Sequence, residues 1–203
     1  MRKRKKAAVV RRRAKGSAKR ALLLDTAEKL ILKEGYAAAN TRRVALEAGI
    51  TPPLVHYYFP TTEDLLLAVY ERAAEEAHAH AVEALTEPKP LETFWEQCKE
   101  SAHTGLGTEF YALANHRKVI RSAIAKTAVD YRTAQAAALA RTLGQALDQE
   151  VCTPMALVVL ILGMSRILMV EQSIGVTTGH AEARALIDWL LARVQHSDKA
   201  TAP

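Results

Sequence analysis

The chain has 203 residues, 49% of them apolar, a formal net charge of +6 and two cysteines. That length and apolar share bury a core for one to two small domains without disulfides or metals, which excludes a disulfide scaffold and a wholly disordered chain. The charge is uneven: residues 1–20 hold eleven of the 28 Lys and Arg and no acid, leaving seventeen bases against 22 acids elsewhere, so the basicity belongs to a tail.

Residues 1–18 are expected to form a disordered basic arm, whose RKRKK and RRRAK runs suit phosphate neutralisation or a minor groove. A solubilising tail is the plainer alternative, and the AAVV within it is far too short for a signal-peptide core. From about Lys19 to Glu34, Leu23, Ala27, Leu30 and Ile31 recur at i, i+4, i+7 and i+8, an apolar stripe on a helix that Gly35 ends.

The next stretch, TRRVALEAGITPPLVHYYFPTTEDLLL from Thr41 to Leu67, has a boundary signal at every step. Thr41 is expected to cap a short helix reaching Ala48, and Gly49 supplies the left-handed turn after it. Thr51 caps a second helix with Pro52 and Pro53 in its first turn, and Pro60 stops it. Thr61 and Asp64 form a capping box for a third. Two short helices joined by a glycine turn are a helix-turn-helix, which lays its second helix into a DNA major groove. Val44, Ala45, Ala48, Ile50, Val55 and Phe59 are spaced to face inward, and Tyr58 and Phe59 are assigned to packing. On the outside, Thr51, Pro52, Pro53, Leu54 and His56 are candidates for base edges, where apolar groups meet thymine methyls and an imidazole hydrogen-bonds. Tyr57 is expected on a phosphate, with Thr41, Arg42 and Arg43 on the backbone and an adjacent base.

Strand signals are almost absent, so the chain is expected to be all-α with about nine helices: an N-terminal three-helix domain at 19–67, a helical domain at 68–196 and a disordered tail at 197–203. The fourth helix spans about Thr62 to Leu85 and breaks at Pro88 and Pro90; others are expected at 91–103, 108–115, 117–148, 154–174 and 179–195. The helix from Pro154 to Ser173 is apolar nearly all round, the mark of burial on more than one side. Its apolar run, Met155 to Val170, is interrupted by Ser165 and Arg166 and is judged too short to cross a bilayer, so a cytoplasmic location is expected. His78 and His80 point to different faces, no metal or nucleophile motif occurs, and Cys98 and Cys152 lack CxxC spacing. No cofactor, no metal, no enzymatic activity and two unpaired thiols are expected.

The spans AEKLILKEGY, EAGI and LVHYYFPTTEDLL, with the threonine before the second helix, resemble the DNA-binding domain of the TetR family of transcriptional regulators from about Ala21 through Leu67. Thr62 departs from the lysine that many members carry there. Beyond about residue 85 the resemblance is one of helical layout. It implies a homodimer through the last two helices, with Leu160, Gly163, Ile167, Leu186, Trp189 and Leu190 at the seam. It also implies an effector cavity, for which Tyr70, Phe94, Trp95, Cys98, Phe110, Tyr111, His116 and Arg166 are candidates, with Gln97, His103 and Asn115 as further polar groups. The function expected is a ligand-responsive repressor that binds a palindromic operator in double-stranded DNA as a dimer and is released by a small, mainly apolar effector. Two alternatives stand beside it: a non-specific architectural DNA-binding protein without effector, and a helical ligand-binding protein with a vestigial helix-turn-helix.

Overall fold

No proline precedes Pro52, and Lys, Arg and Ala fill most of the first twenty positions, a composition of high helix propensity. In the computed structural model, which describes residues 2–102, 105–143 and 152–196, helix α1 accordingly runs Arg2–Glu34. The segment expected as a disordered arm is thus helical from Arg2 and continuous with the helix expected to begin at Lys19. The 197–203 tail, His103 and the end of the expected 117–148 helix lie outside the described residues.

After a 3-10 turn at Tyr36–Ala38 come α2 (Thr41–Glu47), α3 (Pro52–Tyr58), α4 (Thr62–Ala84), α5 (Pro90–Ala102), α6 (Leu106–Ala114), α7 (Lys118–Leu143), α8 (Pro154–Ser173) and α9 (His180–His196). Among the described residues there is no strand, and the all-α architecture matches the expectation. The chain divides into two compact units, one of residues 1–72 with 109–120 and the other of 73–108 with 121–203. The division falls inside α4, α6 and α7, so the first unit is larger than the expected 19–67 domain.

In the first unit α1 packs on the 3-10 turn and on α2, and α2 packs on α3. The α1 stripe Leu23, Ala27, Leu30 and Ile31 is buried as its spacing predicts, together with Leu24, Val44, Ala45, Val55 and Phe59. Ala48 and Ile50, also expected inside, are only half-buried. Arg72 on α4 reaches α1 with two charged hydrogen bonds, 2.5 Å to Asp25 Oδ1 and 2.6 Å to Glu28 Oε2. Burial alone lowers the guanidinium pKa, but the hydrogen bonds and charges of Asp25 and Glu28 outweigh it and hold it raised.

The second unit has one core, in which Ala81, Leu85, Leu91, Phe94, Trp95, Cys98, Leu139, Leu157, Val158, Ile161, Leu168, Ile187 and Leu191 are buried. Here α5 packs on α8 and α9. Polar bonds tie remote elements: Trp95 Nε1 donates to Asp188 Oδ1 at 2.9 Å, and Thr142 Oγ1 donates to the Leu85 carbonyl at 2.8 Å. Helix α8, with 20 residues and mean hydropathy 1.9 over its best window, meets the length and composition of a membrane span, contrary to the expectation that its apolar run is too short. The difference arises because the helix continues beyond both ends of the Met155–Val170 run. Its Leu157, Val158, Ile161, Ser165 and Leu168 are buried in this unit.

Candidate functional site

The turn between α2 and α3 depends on Gly49, whose φ of 63° is a conformation that side chains with a Cβ rarely adopt. On its near side, the cap of α2 is Asn40 and not Thr41: Asn40 Oδ1 accepts from the Arg43 N–H at 3.0 Å. Asn is as good a cap as Thr, and with the two adjacent the sequence pattern could not separate them. Thr41 instead becomes the first helical residue and is buried, 7% exposed, with its N–H donating to Thr62 Oγ1 at 3.4 Å. That burial removes Thr41 from the outward surface on which it was expected to hold DNA. It also gives Thr62, the position that departs from the family lysine, a use inside the protein.

On the far side of the turn, Thr51 takes the N-cap position of α3 without a side-chain cap hydrogen bond, and Pro52 and Pro53 occupy the first turn as predicted. Val55 and Phe59 anchor the helix inward, while Thr51, Pro52, Pro53, His56 and Tyr57 are exposed and Leu54 is half-buried. Tyr57 is 77% exposed, and its ring packs edge-on against Tyr58. His56 Nδ1 lies 3.1 Å from the Pro60 carbonyl oxygen. The capping box forms as read: the Thr61 N–H donates to Asp64 Oδ2 at 3.0 Å, and the Asp64 N–H donates to Thr61 Oγ1 at 3.1 Å. Arg42 is exposed, whereas Arg43 is held by Glu47 at 3.0 Å and Glu34 at 3.4 Å, carboxylates that a phosphate would have to displace. Near the 3-10 turn, Glu109 Oε2 accepts from the Tyr36 N–H at 3.0 Å, a bond across 73 residues that no local pattern signals.

The expected effector residues separate by unit. Tyr70 and Phe110 pack edge to face in the first unit, with centroids 5.4 Å apart, while Tyr111 and His116 are exposed there. In the second unit Phe94, Trp95 and Cys98 are core residues and Arg166 is half-buried. Burial pushes the Cys98 thiol up to about 12, against a smaller lowering by the charge of Arg166. Cys98 is a free thiol. The Oε1 of Gln97 is buried without a hydrogen-bond partner. A cavity of about 250 Å³ in this unit is lined by Glu96, Lys99, Glu100, Ser165, Leu168, Met169, Gln172 and Arg184. None of the eight expected effector residues lines it, and four of its own eight, Glu96, Lys99, Glu100 and Arg184, are charged. Long side chains on half-exposed helix faces carry no apolar period, so that wall was missed. Among the described residues, no group of three His, Cys, Asp or Glu is placed to hold a metal ion.

Of the expected seam, Ile167, Leu186 and Trp189 are large apolar side chains on the surface, the last two 61% and 58% exposed. Met155, Val159, Gly163 and Ile167 follow one another at every fourth position and are all exposed, so α8 carries an unburied apolar stripe besides its buried side. Leu160 and Leu190 are half-buried, Leu160 at the edge of the core.

Residues 23–69 match the family of bacterial regulatory proteins, tetR family. The chain is 29% identical over 123 residues to the HTH-type transcriptional regulator EthR of Mycobacterium tuberculosis; the match covers 61% of this chain and spans about half, 55%, of that relative's length. The fold is similar to that of a TetR-family transcriptional regulator from Rhodococcus sp., with a TM-score of 0.67 and 20% identity over 88% of this chain and 99% of that one. It is also similar to the multidrug binding protein EbrR complexed with ethidium, with a TM-score of 0.61 and 24% identity over 85% of this chain and 97% of that one. The likeness to the tetR family of bacterial regulatory proteins is thus carried in sequence by residues 23–69, the segment that holds the helix-turn-helix.

Proposed function

We propose that this protein is a cytoplasmic, homodimeric transcriptional repressor, not an enzyme, that binds a palindromic operator and is released by a small molecule. The observation that carries the reading is the outer surface of α3. Pro52, Pro53, His56 and Tyr57 are exposed on a short helix that Val55 and Phe59 anchor, the arrangement in which a helix enters a major groove. Arg42 and Tyr57 supply backbone contacts at its flank. Of the alternatives, a vestigial helix-turn-helix is disfavoured by this intact outer face.

The exposed stripes of α8 and α9 support the dimer. An apolar surface that includes a 58%-exposed tryptophan is costly in water, and pairing with a second copy would bury it as a four-helix seam. For regulation, α4 is the helix that follows the reading helix α3 and one of three that contribute to both units. A ligand that prefers one position of α4 would shift the spacing of two reading helices, which must sit about 34 Å apart to meet successive major grooves. Such coupling is reciprocal: operator DNA must weaken effector binding by the factor by which effector weakens operator binding. EbrR, a structural relative with ethidium bound, supports the small-molecule part.

The decisive experiment is selection of duplexes from a random pool by the purified protein at about physiological salt. Enrichment of a two-fold palindrome is expected. Bound but unenriched DNA would replace the reading with non-specific architectural binding, and the absence of bound DNA would remove it.

A further inference from the structure

His56 is exposed on α3, and its Nδ1 lies 3.1 Å from the carbonyl oxygen of Pro60, the residue that ends the helix. A carbonyl oxygen only accepts hydrogen bonds, so in this contact Nδ1 carries the proton. In the neutral imidazole the second nitrogen, Nε2, is then an acceptor with a free lone pair, because the partner of one ring nitrogen sets the state of the other. The contact fixes the chemical character of what His56 offers to a ligand as well as the direction of the ring.

An acceptor in that place discriminates. Phosphate oxygens are acceptors too and gain nothing from it, so the ring suits a base edge, in contrast to the donors of Arg42 and Tyr57. In the major groove only two bases present donors, adenine through its N6 amino group and cytosine through its N4 amino group; guanine presents N7 and O6, and thymine O4 and a methyl. We propose that His56 is a specificity-determining residue that reads adenine or cytosine through an Nε2 acceptor, its tautomer held by the Pro60 carbonyl. This rests on the regulator reading above and narrows it: in each half of the operator, the strand that faces Nε2 carries the amino-bearing base of one pair.

Two measurements test it. Nitrogen-15 NMR of the histidine rings in the full-length protein, without DNA, is expected to find His56 protonated at Nδ1; a proton at Nε2 would overturn the inference whatever the protein does to DNA. Duplex selection is then repeated with the wild type, His56→Leu and His56→Arg. The wild type is expected to enrich one base pair at one symmetry-related pair of positions. His56→Leu should lose that preference alone, with about tenfold less discrimination there, and His56→Arg, which offers only donors, should enrich a different base pair at the same positions. A selected motif that all three proteins share would overturn the role of His56 and leave the regulator standing. Failure of the wild type to enrich any motif would overturn both.

Discussion

The polar bonds that cap the helix-turn-helix differ in reach from those that close the core of the second unit. The caps join near neighbours, Asn40 to Arg43 and Thr61 to Asp64, each three residues apart, while remote bonds such as Tyr36 to Glu109 and Arg72 to Asp25 tie the rest of the first unit. In the second unit they join distant elements, Trp95 to Asp188 across 93 residues and Thr142 to Leu85 across 57. Local bonds dictate angles between successive helices, which a reading head needs. Remote bonds dictate how an assembled core closes, and the same helices can be assembled in more than one way around a shared apolar interior.

Variants can break or sharpen this contrast. The largest effect is expected from Phe94→Ala, which hollows the remote core and should cost about 3–5 kcal/mol in urea unfolding; a loss below about 1 kcal/mol would mean that this core is not the source of the unit's stability. Arg72→Ala removes both ion pairs to α1 and leaves Asp25 and Glu28 facing each other, for about 1–2 kcal/mol by the same assay, since the guanidinium is only partly exposed. Gly49→Ala forces a Cβ into the left-handed turn and should cost about 1 kcal/mol. Because the turn aims α3, operator affinity should fall further than stability does.

Smaller still, Tyr57→Phe is expected to leave the unfolding curve within about 0.5 kcal/mol while operator affinity drops several-fold in a binding titration. At the foot of the scale, the Cys98 thiol, pushed up to about 12, should resist iodoacetamide at pH 8 in the folded protein and react on unfolding. The sign follows from linkage: the folded state favours the protonated thiol, so its contribution to stability is intact near neutrality and is lost as pH rises toward that value. Rapid alkylation of native Cys98 would show the second core to be open.

These differences explain what the sequence made legible. Gly49, Pro52, Pro60 and the Thr61–Asp64 box act on adjacent backbone, so their meaning survives without knowledge of the rest of the chain, and the helices they bound appear where they were read. Asn40 and Thr41 mark the limit of that legibility: both are good caps, and only the packing that buries Thr41 decides between them. In the second unit the 3.6-residue period located helices but not neighbours. Phe94 and Trp95 on α5 carry the aromatic surface that suits either a core or a cavity, and their partners on α8 and α9 place them in the core. The arm shows another limit, since a charge run that reads as disordered by composition is also a sequence of strong helix formers.

The hydroxyl of Thr62, which accepts from the Thr41 N–H, has a consequence for ionic strength. A lysine at the start of α4 would neutralise one phosphate and set free its condensed counterion, adding about 0.9 to the slope of log affinity against log salt for each subunit. Thr62 trades that contact for a bond internal to the protein, which salt does not screen. Operator binding should therefore lean less on electrostatics at this edge and tolerate higher salt, and Thr62→Lys should restore the steeper slope.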